Sequence, residues 1–254
     1  MSKQKNLIKY GDIFLVGGHI LGCGDARDKE FVDKVIANRK IKAVISDPPF
    51  GVRLVENKIG VSKLKVSKNI LNDDIVNETE YAEFTKNWLL PILPHLETKN
   101  SIYIFNGDPM FLALRQGMEQ AGTKFSQLLI WIKSHSVMGR KDYLPAHELL
   151  AYGWYKIHEF KKSKDSTLLF CPKSNSNPLH PSQKPVAIIR RLILNSTSIG
   201  DTVFDSFAGS GTIGVAAEQT KRKAIMIERD EEYCQTILSR MEKLFGLRAE
   251  RIKP

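Results

Sequence analysis

Residues 201–228, DTVFDSFAGSGTIGVAAEQTKRKAIMIE, constrain the fold more than any other stretch. A short apolar run ends in an acid, a glycine-rich turn follows, helical spacing covers 212–220, and a second apolar run closes the unit at 223–228. Two strands flanking a helix make a β-α-β unit, which builds a parallel sheet buried on both faces. The alternation continues elsewhere. IKAVIS (41–46), SIYIFN (101–106), QLLIWIK (127–133) and ELLAYGW (148–154) read as strands, with helices over 29–38, 78–90, near 109–120, 185–196 and 230–245. DIFLVGGHILGC (12–23) reads as a hairpin turning at Gly17 and Gly18. The expected class is α/β, a mostly parallel sheet with helices on both faces.

Two segments break the pattern. Residues 51–77 are rich in Lys, Asn and Ser without a period and read as a long mobile loop. Residues 134–178 read as a second irregular surface segment, and 156–183 in particular as loop. One domain is expected over 1–254. No apolar run approaches the roughly 18 residues of a membrane span. The start, MSKQKNLIKYGD, is basic without the apolar core of a signal peptide, so a cytoplasmic location and no membrane partner are expected. Cys23, Cys171 and Cys234 lack metal-ligand spacing and read as buried thiols; no metal is expected. His147 and Glu148 are neighbours on a strand, point to opposite faces and read as structural, while Trp131 and Trp154 read as core.

The net charge of +10 favours a polyanionic partner, because lysines that replace counterions on phosphates gain their release. Position sharpens this. Arg53, Lys58, Lys63, Lys65 and Lys68 form one concentration; Lys133, Arg140, Lys141, Lys156, Lys161, Lys162 and Lys164 form another. Double-stranded DNA is the partner expected for them.

The turn DSFAGSGTIG (205–214) contains Gly209-x-Gly211-x-x-Gly214, and Glu228 ends the next strand. A nicotinamide dinucleotide and S-adenosylmethionine both suit such a turn, since a carboxylate can accept from two ribose hydroxyls. Asp205 separates the two. It would repel a pyrophosphate lying on the turn but attract a sulfonium and an ammonium group.

Asp47-Pro48-Pro49-Phe50 ends the strand 41–46. Two prolines cannot continue a central strand, but they make a stiff turn. In an open parallel sheet ligands bind beyond the C-terminal strand ends, so Asp47 and Asp205 should share a crevice. The Asp47 carboxylate and the Pro48 carbonyl offer two fixed acceptors for the N–H groups of an exocyclic amine. Phe50 offers a face on which a flipped base stacks.

Together DPPF and DSFAGSGT resemble the amino-methyltransferases that modify DNA at adenine N6 or cytosine N4, in the circularly permuted order of the beta group. Residues 11–28, LLIWIKS (128–134), HELLAYGW (147–154), HPSQKP (180–185) and IERDEEYC (227–234) are similar to segments of prophage and plasmid DNA methylases. The resemblance implies a Rossmann-like fold and S-adenosyl-L-methionine as cofactor. It implies that Asp25 meets the cofactor's adenine, Lys184 and His180 its methionine end, and that Phe207 and Thr212 line its pocket. Ser206, Ile213 and Phe50 depart from the commoner Pro, Thr and Tyr. Asp47 in the first catalytic position resembles the adenine branch, where the cytosine branch usually has Ser. Cytosine-N4 transfer, an RNA or protein methyltransferase, a non-catalytic DNA-binding module and a nicotinamide-dependent oxidoreductase stand as alternatives. Target choice is expected in 51–77 and 134–178; neither a homodimer nor a partner nuclease has a pattern that specifies it.

Overall fold

The computed structural model describes residues 8–50, 77–136, 142–162, 164–172 and 183–252. Its strands are β1 (Ile13–Val16), β2 (His19–Cys23), β3 (Ile41–Ser46), β4 (Leu96–Asn106), β5 (Lys124–Ile132), β6 (His147–Trp154), β7 (Ile157–His158), β8 (Leu168–Phe170), β9 (Thr202–Asp205), β10 (Lys223–Glu228) and β11 (Ala249–Ile252). The helices are α1 (Lys29–Ile36), α2 (Glu78–Leu89), α3 (Phe111–Gln120), α4 (Val186–Ser196), α5 (Thr212–Gln219) and α6 (Glu231–Phe245).

The strands form one sheet in the order β11-β1-β2-β10-β9-β3-β4-β6-β5-β8, with β7 paired to β4. Its centre, β2-β10-β9-β3-β4, is parallel, and β1, β6 and β11 run antiparallel to their neighbours. Side chains alternate across it. Ala43, Ile45, Tyr103 and Phe105 pack with α4, α5 and α6 on one face; Val44, Ile102 and Ile104 pack with α1, α2 and α3 on the other. Both faces are covered, which is why the central strands are nearly all apolar. The expected α/β class with helices on both faces holds.

From β3 the chain continues to β4 on one side; from β9 it continues to β10 on the other. β3 and β9 are therefore adjacent strands at a topological switch point, where open sheets form a crevice.

Three strands escape the sequence pattern. β7 and β8 lie in the 156–183 stretch that reads as loop, and β11 follows the last helix. β8 is only Leu168–Phe170 and exists because it pairs in parallel with Ile130–Ile132. β11 is wholly exposed and is fixed by pairing with β1. β4 begins five residues before its apolar run, at Leu96, because Lys99 and Asn100 pair with β7. Backbone pairing, not side-chain pattern, makes each of these. All three cysteines are buried and free, as expected.

Candidate active site

Each side of the crevice is built from one strand tip. On one side β9 ends at Asp205 and the chain turns through glycines. Gly209 and Gly211 take φ of +53° and +76°, left-handed values that a side chain strains. Gly214 serves another purpose: a Cβ there would stand 2.9 Å from Met226 Sδ, so it lets α5 lie close on the sheet. Gly209 donates its N–H to Glu228 Oε2 at 2.7 Å, and Asp230 donates to Oε1 at 2.9 Å. Both Glu228 oxygens thus accept backbone N–H groups, and a carboxylate has acceptor capacity beyond them. Asp230 also caps α6.

On the other side β3 ends and residues 47–50 turn away. Ser206 N–H donates to Ser46 Oγ at 3.1 Å, so the two turns are tied together behind the crevice. Asp47 raises the pKa of Asp205 through its charge, as two acids facing one space must. The two acidic strand tips belong to adjacent parallel strands of the sheet.

The DPPF turn is clamped from behind. Tyr81 of α2 donates its hydroxyl hydrogen to Pro49 O at 2.8 Å, and Asn106 at the tip of β4 donates to the Tyr81 oxygen at 3.1 Å. Pro48 is buried, while Phe50 is half-buried, with its ring near Gly107, where a Cβ would meet it at 3.5 Å. Lys184 Nζ lies 2.5 Å from Asp47 Oδ2 and 3.1 Å from Glu148 Oε2, and Lys133 Nζ lies 2.7 Å from Glu148 Oε1. Asp47 Oδ1 is buried without a hydrogen-bond partner among the described residues.

A family model described as DNA methylase, of the N6/N4 methyltransferase type, matches residues 41–239. The chain belongs to the DNA methylase family. It is similar to the Type II methyltransferase M.HpaI of Haemophilus parainfluenzae, 26% identical over 240 residues that cover 84% of this chain and 72% of that protein. Solved structures share the fold. M1.HpyAVI, crystallised as a SAM complex, superposes with a TM-score of 0.64 at 23% identity over 87% of this chain and 98% of that one. The cytosine-N4-specific PvuII DNA methyltransferase superposes with a TM-score of 0.68 at 19% identity over 90% and 89%.

The electrostatics of this DNA methylase fit a cationic ligand. Burial pushes Asp205 up to about 7 against the N–H of Phe207, with Asp47 adding to the rise. Burial likewise pushes Glu228 up to about 7. Asp205 pairs with no cation among the described residues. Burial also raises Asp47, to about 6, against the pull of Lys184. Two buried carboxylates, Asp205 and Glu228, with no paired cation among the described residues gain by receiving positive charge.

Other residues singled out in the sequence fall as follows. Asp25 follows β2 beside Glu228, since Gly24 N–H donates to Glu228 O; its carboxylate holds Arg27 at 2.6 Å and lies 3.8 Å from Arg229. Phe207 packs edge-on to Trp88 and against Phe84, both on α2. Thr212 opens α5 with its hydroxyl 3.5 Å from Arg240. Lys184, which the resemblance puts at the cofactor's methionine end, has its ammonium engaged with Asp47 and Glu148. His180, Arg53, Lys58, Lys63, Lys65, Lys68, Arg140 and Lys141 lie outside the described residues.

One reading needs correction. Lys133, grouped by sequence with phosphate-facing lysines, is buried and paired to Glu148. Glu148, read as structural, pairs with Lys133 and Lys184 beside the DPPF turn; its neighbour His147 faces Asp108 at 3.1 Å. No sequence spacing links Lys133, Glu148, Lys184 and Asp47, and Tyr81 looks like any core aromatic in a helix. Trp131 is core as expected, with its indole N–H donating to Cys171 O.

Proposed function

We propose that the chain is a site-specific DNA adenine-N6 methyltransferase of the circularly permuted beta group, acting on a base turned out of the duplex. The observation that carries it is Asp47 Oδ1, buried without a hydrogen-bond partner among the described residues, just past the tip of a strand that lies beside the one ending in Asp205. S-adenosyl-L-methionine, the donor of this family, supplies an electrophilic methyl group when bound. Asp205 favours its positive charge, Glu228 accepts from the ribose hydroxyls, Gly209 and Gly211 allow the backbone close approach, and Asp25, Phe207 and Thr212 line the adenosine side.

The chain's own work is to prepare the amine. Adenine's exocyclic nitrogen is a poor nucleophile because its lone pair is spread into the ring. Asp47 Oδ1 and the Pro48 carbonyl accept its two hydrogens and favour a tetrahedral nitrogen with the lone pair aimed into the crevice. Because Tyr81 and the prolines hold those acceptors still, no reorganisation is spent during transfer. Phe50 stacks the base, offsetting part of the few kcal/mol that flipping costs. The nitrogen's surplus proton leaves after transfer, with ionised Asp47 the nearest base.

An acid in the first catalytic position supports adenine over cytosine, in line with the resemblance. The basic stretches 51–77 and 134–178 would supply phosphate contacts and target choice. Incubation with unmethylated duplex DNA and labelled donor, followed by mass analysis of the nucleosides, tests the reading. N6-methyladenine is expected; N4-methylcytosine would move the chain to the sister branch, and unmodified DNA would overturn the proposal.

A further inference from the structure

Four charged side chains from four distant parts of the chain alternate in sign behind the DPPF turn: Lys133 after β5, Glu148 on β6, Lys184 before α4, and Asp47 after β3. The successive separations are 2.7, 3.1 and 2.5 Å, and the side chains of Lys133, Lys184 and Glu148 are 5%, 5% and 17% exposed. Burying so many charges is costly unless each is held by a neighbour of opposite sign. Fully ionised, the four sum to zero. Their geometry is also unequal. Lys184 makes a directed hydrogen bond to Asp47, whereas Glu148 Oε2 attracts it without an aligned bond. Lys184 Nζ sits 5.3 Å from the centre of the Phe50 ring and 5.1 Å from that of Phe105, so the same ammonium touches both working members of the motif.

We propose that Glu148, pinned by Lys133, is a positioning residue that holds Lys184 on Asp47 Oδ2 and thereby leaves Oδ1 as the atom that takes the amine hydrogen. This rests on the acceptor role given to Asp47 above. The charged groups facing Asp47 are Lys184, Glu148, Lys133 and Asp205, with Glu228 behind Asp205. Glu148 opposes ionisation of Asp47 by its charge, and Lys133 favours it. Substituting either one changes no atom of Asp205 or Glu228, which remain beside Asp47 in every variant, so a difference in Asp47 titration between variants reports on the ion chain.

The test is carboxyl-carbon NMR titration of Asp47 in the full-length, donor-free protein, comparing wild type with Glu148→Gln and Lys133→Met. Glu148→Gln is expected to lower the Asp47 midpoint by about one pH unit and Lys133→Met to raise it by a similar amount. The opposite signs mean that either variant alone suffices if the other fails to fold. In single-turnover transfer the acid limb should move the same way. Glu148→Gln should slow transfer by about tenfold to a hundredfold with donor affinity kept, and Glu148→Asp should recover part of the loss. An Asp47 midpoint that stays put in the folded variants, or slower transfer with an unmoved acid limb, would overturn the proposal. The titration needs no turnover, so a wild-type protein that transfers nothing would refute the methyltransferase reading while the titration still judges the ion chain.

Discussion

Lys184 takes one oxygen of Asp47 and leaves the other bare: Nζ lies 2.5 Å from Oδ2, and Oδ1 is buried with no hydrogen-bond partner among the described residues. A buried acceptor left unpaired costs about 1–3 kcal/mol. Folded proteins rarely keep such an atom without a use for it. Under the proposed function that use is the incoming amine, and the asymmetry between the two oxygens makes a prediction that neither residue alone would.

Asp47→Ala should bind the donor with affinity close to wild type and lose transfer by at least about a hundredfold, the scale of removing one preorganised transition-state contact. Asp47→Asn should do no better. Its single amide oxygen must serve Lys184, which turns the amide N–H₂ toward the substrate amine and replaces attraction with repulsion. Calorimetry for the donor and single-turnover assays for transfer check both. Wild-type turnover by either variant would remove Asp47 from the chemistry.

Donor binding should depend on pH through Asp205 and Glu228. Both are raised to about 7 in the fold by burial, from ordinary values near 4. Their protonated forms are therefore favoured in the free folded protein. Its stability from these groups is full below about pH 4 and declines as pH rises through 7. A cationic ligand reverses the preference of Asp205, so binding should release protons below pH 7 and tighten as pH rises through it. Calorimetry in buffers of different ionisation enthalpy measures the release. Binding without proton exchange at pH 6 would show that these acids do not face the donor.

Tyr81→Phe removes the donor to Pro49 O and leaves Asn106 Nδ2 short of its acceptor. A loss of about 1–3 kcal/mol in stability is expected. Transfer should slow severalfold with donor affinity unchanged, because the clamp acts on the acceptor turn alone. A denaturant titration and the transfer assay decide it. Weaker donor binding with normal transfer would place the clamp's effect on the wrong side of the crevice.

Gly211→Ala and Gly246→Ala separate strain from crowding. Both glycines have φ above +70°, but a Cβ at Gly211 would stand 3.0 Å from Ile237 while at Gly246 it meets nothing within 4 Å. Each pays the left-handed penalty of about 1–2 kcal/mol. Gly211→Ala should lower Tm by the larger amount and weaken the donor, whereas Gly246→Ala should leave the donor untouched. Equal melting shifts would show that α5 and α6 separate freely.

The sheet's centre was legible because burial on both faces writes a continuous apolar run. IKAVIS and KAIMIE coincide with β3 and β10, and the helices fall within two residues of their periodic segments. The edges were not. β7, β8 and β11 owe their existence to backbone partners that are distant in sequence, and their side chains carry little pattern. For the same reason Lys133 was misplaced among surface lysines: nothing local distinguishes a lysine that will meet a buried glutamate.

By itself the sequence determined the α/β class, the two acidic strand ends and the glycine turn, since each is a local matter of apolar runs, prolines and positive φ. Only the tertiary structure decided which oxygen of Asp47 lacks a partner among the described residues, and that Tyr81, Glu148 and Lys133 stand behind it. Those relationships join segments up to 137 positions apart, as Lys184 and Asp47 are. Contacts of that kind are set by how the sheet stacks its strands, and stacking leaves no trace in the spacing of any one segment.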